Sequence, residues 1–450
     1  MQFYQRDQIM LLFIFFFLNF FTPADFQSVE QRPEFVNVYN NGIYSTYLNQ
    51  RDAYLANHAA VIQKMASEKS PFVELHHLLT LKGERGAPYQ AKFMLTLRKA
   101  IENKDEASPE VQNFIDDYTV WLFGAAHLEA PIHRFLQKAL PIDFKQTFDK
   151  DRKNAFMNIH EVVMTIPEFI EDKKTGRELP PEDNFVYGDL PSHLFHIGHT
   201  EVIRTSNTAR DLSVDSKGKT SSAAMNPEFY NYIATLAGRG EKHVYVNILS
   251  HLNYEYYKAS LIEGLEDDPK TASGIIVISF DKEKNSPFYY QSAPYDTQDD
   301  AVQFKRDFLE RLINPAGVYY WSKHLDQKEW PKTLSRLMDE VHAEFYHNAP
   351  TLDRESRQDF IDFTYVKIIE EIVEQFQPKR LNVTCKQAVD RGPTLYGLLY
   401  LYEQSKHGPL TEHALLKAAD MVFGPALAYQ NRATHVYRIN RFQSTANRFP

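Results

Sequence analysis

The chain has 450 residues, 43% of them hydrophobic and 14% aromatic, which is enough apolar material for a large core and more than one domain. A formal net charge of −9 argues against a nucleic-acid-wrapping protein, so any basic site must be assembled locally within a mildly acidic body. One cysteine excludes an internal disulfide framework.

Residues 1–24 read as a hydrophobic signal or anchor segment. Ile9 to Phe21 is apolar apart from Asn19, follows Arg6, and breaks at Thr22-Pro23-Ala24. Thirteen such residues fall short of the roughly 20 needed to span a bilayer, and they point to a secreted or membrane-associated protein.

Residues 25–150 form a second unit, in which apolar positions recur at helical spacing through Leu95, Ile101 and Val111 to Phe123, predicting a mainly helical accessory region. His76-His77 lies between Leu75 and Leu78 and reads as structural.

From 151 to 430 the texture changes to α/β or α+β, with a central sheet flanked by helices. "KHVYVNIL" (242–249) and "SGIIVISF" (273–280) are short, β-branched and bounded by turn residues, as buried strands are. Helical patterns follow at 301–313, 331–346 and 357–377, the last ending before Pro378. The stretch 205–227 is polar and turn-rich and reads as a long loop. Its Gly218-Lys219-Thr220 matches only the end of a nucleotide phosphate loop. His193, His196 and His199 are spaced by three, which on a helix would suit a metal, but Gly198 and the loop-like neighbours argue against a helix. No metal and no cofactor is expected. His251, just past a strand, is a possible substrate contact. Residues 431–450 carry Arg432, Arg438, Arg441 and Arg448 without an acidic residue and read as a basic C-terminal tail, solvated or drawn to anionic lipid.

The most informative stretch is "RLNVTCKQAVDRGPTLYGLLYLY" (380–402). Residues 380–384 suit a strand; Leu395, Leu398, Leu399 and Tyr402 mark one face of a helix, with Pro393 in its first turn and Gly408 beyond its end. A strand-to-helix turn from Cys385 to Arg391 lets successive backbone N–H groups converge on one anion at a helix N-terminus. The same field lowers a thiol pKa, and an Arg fork can hold two phosphate oxygens.

This stretch resembles the signature loop of cysteine-dependent phosphatases. Its inner pattern Cys385-Lys386-x-x-x-Asp390-Arg391 is similar to that of phosphoinositide phosphatases, especially those that bacterial pathogens deliver into host cells. The resemblance implies a phosphocysteine intermediate on Cys385, phosphate binding by Arg391 and the loop amides of Gln387, Ala388, Val389 and Gly392, headgroup charge matching by Lys386, and an acid role for Asp390. It also implies a phosphoinositide or inositol phosphate substrate, while the N-terminal apolar segment and the basic tail suggest a membrane surface as partner. Gln387, Ala388, Val389 and Gly392 depart from the family's Ser, Gly, Lys and Ser/Thr. Thr394 and Thr384 are possible substitutes for the missing hydroxyl. Asp281 and Asp296 are other acid candidates, whereas Trp330-Pro331 is followed by Lys332 where tyrosine phosphatases carry their acid. Two other functions fit the sequence: a protein tyrosine or dual-specificity phosphatase using the same loop, and an interaction protein with a structural cysteine.

Overall fold

The computed structural model describes residues 33–81, 87–124, 144–164, 191–216, 219–251, 253–282, 299–314, 318–386, 388–430 and 433–450. The N-terminal apolar segment, Asp296, Gly218, Gln387 and Arg432 lie outside these residues. Among the described residues no helix is long and apolar enough to cross a membrane.

The first part of the chain is helical: α1 (Pro33–Ala56), α2 (Ala59–Met65), α3 (Phe72–Thr80), α4 (Ala87–Glu102), α5 (Pro109–Gly124), α6 (Phe144–Asp151) and α7 (Ala155–Met164). It packs directly on the remainder. Phe123 of α5 stacks on Tyr232 at 4.7 Å between ring centroids. Arg98 of α4 donates from Nε and Nη2 to the two oxygens of Glu228, at 2.8 and 2.7 Å, in a pair buried on both sides. One continuous cluster of buried apolar residues runs from Tyr47 to Phe449.

The central sheet has the order β1-β2-β7-β5-β6, built from β1 (Ser192–Ile197), β2 (Thr200–Arg204), β5 (His243–Asn247), β6 (Ile275–Ser279) and β7 (Arg380–Thr384). Only β1 is antiparallel, to β2; β2, β7, β5 and β6 all run the same way. The three inner and edge strands β5, β6 and β7 are buried at every position, as strands covered on both faces are.

Alternation of side chains assigns the two faces. His243 and Tyr245 meet Phe229 of α8 (Pro227–Gly238) on one side. Phe280 follows the opposite parity past β6 and stacks on Tyr365 of α12 (Arg354–Phe376), centroids 4.3 Å apart. The sheet therefore separates α8, with α4 and α5 packed against it, from a second layer containing α12. That layer continues with α13 (Arg391–Ser405), α14 (Glu412–Gln430) and α15 (Val436–Ala446), where α7 meets α15 through Phe156 and Phe442. Helix α9 (Tyr256–Glu263) follows β5, while α10 (Ala301–Ile313) and α11 (Trp330–Tyr346) precede α12. Asp300 and Asp353 cap α10 and α12, accepting from the backbone N–H of Gln303 and Ser356 at 2.7 and 2.8 Å.

Two expectations are corrected, for the polar stretch 205–227 and for the basic C-terminal segment. The polar stretch 205–227 is not a loop throughout: β3 (Ala209–Val214) and β4 (Thr220–Met225) form an antiparallel hairpin, with most of β3 exposed. The histidine run is a hairpin as well, with His193 and His196 on β1 and His199 in its turn. His193 faces Glu201 at 3.3 Å, and no group of metal-binding residues occurs among the described residues. The basic segment near the C-terminus is packed rather than a solvated tail. Arg441 donates to Asp362 at 2.9 Å and Arg448 to Asp359 at 2.7 Å, so the acidic partners lie on α12 instead of nearby in sequence.

Candidate functional site

β7 lies at the centre of the sheet with parallel neighbours on both sides, and its C-terminal end opens where β2 and β5 also end. In open α/β sheets that edge is where ligands bind. Cys385 is the first residue beyond β7, and α13 starts six residues later, at Arg391.

The turn between them is held from both sides. From the end of β2, the buried Arg204 donates through Nε to the Ala388 carbonyl at 3.2 Å. From the loop after β5, the buried Glu255 accepts Nη2 of Arg391 at both oxygens, at 2.7 and 2.8 Å. Glu255 is in turn fixed by the Ser250 N–H at 2.9 Å. The Ile248 N–H bonds the Thr384 carbonyl at 2.9 Å, so the loops after β5 and β7 leave the sheet side by side.

Local backbone geometry explains two residues of the turn. Ala388 has φ +51°, in the left-handed region where glycine is preferred. Gly392 lies under the sheet: a Cβ there would sit 3.0 Å from the Val383 carbonyl oxygen, leaving no room for a side chain without movement. Helix α13 lacks a side-chain cap at Asp390, and its first internal bond is Thr394 N–H to the Asp390 carbonyl at 3.2 Å. The N–H groups of Arg391 and Gly392 precede that bond, where a helix leaves donors without internal acceptors.

Cys385 is 4% exposed and Arg391 8% exposed, so the turn's two chemically important side chains are largely shielded from bulk water. Burial pushes the phenols of Tyr245 and Tyr396 up, and both rings are neighbours of Cys385. Tyr396 braces the site, accepting the Val383 N–H at 2.6 Å and donating to the Ile203 carbonyl at 2.7 Å. Lys386 is half-buried with Nζ 5.1 Å from the centroid of Tyr254, and Val389 is buried. Asp390 is half-buried at the helix start.

The remaining candidates are placed as follows. Thr394 donates to the Arg391 carbonyl at 3.0 Å and Thr384 to that of Thr205 at 3.2 Å, so both hydroxyl protons are committed to backbone. Asp281 is buried just past β6, two strands from β7, a backbone separation of roughly 9–10 Å. His251 is held by Glu263 at 2.6 Å, and Ser279 donates to the same carboxylate oxygen at 2.6 Å. Trp330-Pro331 opens α11, where Lys332 bonds Glu329.

Glu255 and Arg204 had no sequence signal. Each is far from the turn in the chain and is joined to it only through strand order.

No protein-family model, no curated protein and no solved structure matches this chain.

Proposed function

We propose that the protein is a cysteine-dependent phosphatase that hydrolyses phosphate monoesters through a phosphocysteine intermediate, acting on phosphoinositides or inositol phosphates. The observation that carries this reading is the buried Arg391 clamped by Glu255 at the start of the helix that follows Cys385. A guanidinium fixed through Nη2 keeps its plane oriented, which suits recognition of a planar pair of phosphate oxygens.

In this reading the turn between β7 and α13 is a phosphate loop. The Ala388 carbonyl is drawn outward to Arg204, which favours N–H groups turned inward, and the α13 N-terminus adds its positive end. A dianionic phosphate enters beside Arg391, and the Cys385 thiolate attacks phosphorus. The P–S bond forms as the P–O bond to the alcohol breaks, and the leaving oxygen takes a proton from Asp390. Water then attacks the phosphocysteine and gives a proton to the Asp390 carboxylate, the P–S bond breaks, inorganic phosphate is released and the thiolate is restored. The close approach of Gly392 to Val383 leaves the loop without a side-chain hydroxyl at 392, so in this reading the second step proceeds without one.

The burial of Cys385 within the apolar cluster favours a second reading, in which the thiol is structural and Arg391–Glu255 is a buried ion pair of the core. Phosphate release from a panel of phosphoinositides, inositol phosphates and phosphopeptides separates the two. The phosphatase reading expects activity in the wild type that is abolished in Cys385→Ser and Arg391→Ala. Activity surviving both substitutions would overturn it.

A further inference from the structure

The catalytic turn lacks a second lysine, because position 389 holds a buried valine. A second ammonium approaches the neighbouring Tyr254 from elsewhere in the chain. Lys219, in the turn of the β3–β4 hairpin, lies with Nζ 5.8 Å from the ring centroid of Tyr254, the ring that Lys386 approaches to 5.1 Å. Tyr254 immediately precedes Glu255, the residue that holds Arg391.

The hairpin is fixed there. Asp211 of β3 pairs with Lys258 of α9 at 3.0 Å and accepts from Thr220 at 2.6 Å. Asp215 accepts the Lys219 backbone N–H at 2.8 Å and returns its own N–H to the Lys219 carbonyl at 2.8 Å. The hairpin's two carboxylates are thereby engaged, and neither Lys219 nor Lys386 forms an ion pair among the described residues. Both ammonium groups approach the same ring, 5.8 and 5.1 Å from its centroid, and a polyanion bound beside Arg391 supplies them with a shared counter-charge.

We propose that Lys219 and Lys386 form a second-phosphate subsite beside the Cys385 turn, so that the substrate is a phosphate monoester carrying at least one further phosphate. This rests on the phosphatase reading and names its substrate class. The same chemistry is offered by a lipid headgroup and by a soluble inositol polyphosphate. Exposed Leu212 and Val214 on β3, and Tyr256 and Tyr257 on α9, flank the subsite with apolar surface that a bilayer would cover.

The test measures binding and turnover separately. Calorimetric affinity for a soluble inositol bisphosphate and the corresponding monophosphate is determined for wild type, Lys219→Ala, Lys219→Arg and the distant Lys328→Ala. Phosphate release is measured on both compounds, free in solution and as lipids in phosphatidylcholine vesicles. Lys219→Ala is expected to weaken bisphosphate binding about tenfold, the loss of one charge-assisted contact, and to lower the bisphosphate-to-monophosphate ratio of kcat/KM similarly. Lys219→Arg should retain most of both, and Lys328→Ala all of both. The Lys219 side chain is exposed, so folding is preserved. Equal bisphosphate affinity in wild type and Lys219→Ala would overturn the subsite, even with phosphate release intact. Binding that depends on Lys219 without release from any monoester would support the subsite and overturn the phosphatase reading. Faster release from vesicles, lost in Leu212→Ser/Val214→Ser, assigns the subsite's ligand to lipid; equal rates assign it to the soluble polyphosphate.

Discussion

Arg391 and Glu255 are 136 positions apart in sequence, yet Nη2 of one touches both carboxylate oxygens of the other, at 2.7 and 2.8 Å. The pair links the helix after β7 to the loop after β5, and both members are buried, so removing one strands a charge away from water. Glu255→Ala is therefore expected to cost about 3–5 kcal/mol of stability, read by chemical denaturation. Glu255→Gln keeps an acceptor for the Ser250 N–H but loses the charge that orients the guanidinium. It should fold and lose activity on the order of 10²-fold in kcat/KM. Full activity in Glu255→Gln would show that Arg391 is not positioned by this contact.

At Ala388 the left-handed backbone, φ +51°, disfavours any residue with a Cβ by roughly 1–2 kcal/mol. Glycine at this position relieves that strain and gives part of it back as unfolded-chain entropy. Ala388→Gly should thus leave stability within about 1 kcal/mol of wild type, whereas Ala388→Val adds a β-branched side chain to a fully buried position and should unfold the turn. Denaturation midpoints of the two variants check this. Equal stability of the valine variant would contradict the turn geometry.

Gly392 is absent of side chain for a packing reason, since a Cβ would stand 3.0 Å from the Val383 carbonyl oxygen. Introducing a hydroxyl by Gly392→Ser is expected to slow turnover and to lower stability by about 1–3 kcal/mol, as overpacking does. A faster enzyme would mean that the helix start can move aside freely.

His243 is fully buried between Tyr232 and Asn382, with Arg380 nearby, and burial lowers its pKa from 6.5 to about 3. The native state therefore stays neutral while the unfolded chain takes up a proton below 6.5. Its contribution to stability is complete above pH 6.5 and is lost as the pH falls toward 3, at up to about 1.4 kcal/mol per pH unit. Urea denaturation across this range should show that slope, and His243→Gln should flatten it while lowering stability at neutral pH. An unchanged slope in the variant would contradict the assignment.

Much of this arrangement is legible in the chain itself. β5, β6 and β7 stand out because strands covered on both faces are continuous apolar or β-branched runs, and α10, α11 and α12 because their periodicity and their ends agree. Cys385, Arg391 and the helix begun before Pro393 were likewise readable, since strand, turn and helix are local. The β1–β2 and β3–β4 hairpins were not. β3 and β4 mix Ser, Asp and Arg with Ala, Leu and Val without clean alternation, and β1 carries histidines where apolar residues would mark alternation. The partners of the basic C-terminal residues, the clamp at Glu255, the tie from Arg204 and the convergence of Lys219 on Tyr254 are long-range consequences of the order β1-β2-β7-β5-β6. No spacing along the chain encodes them.

The central claim is that Cys385 carries the phosphoryl group during turnover. Its most direct measurement is mass spectrometry of protein quenched in acid during hydrolysis of an inositol bisphosphate, with the peptide containing Cys385 examined for a phosphoryl adduct. A phosphoryl group on Cys385, absent in Cys385→Ser, is the predicted result. Phosphate release by the wild type with Cys385 unmodified under single-turnover conditions, and undiminished in Cys385→Ser, would contradict it.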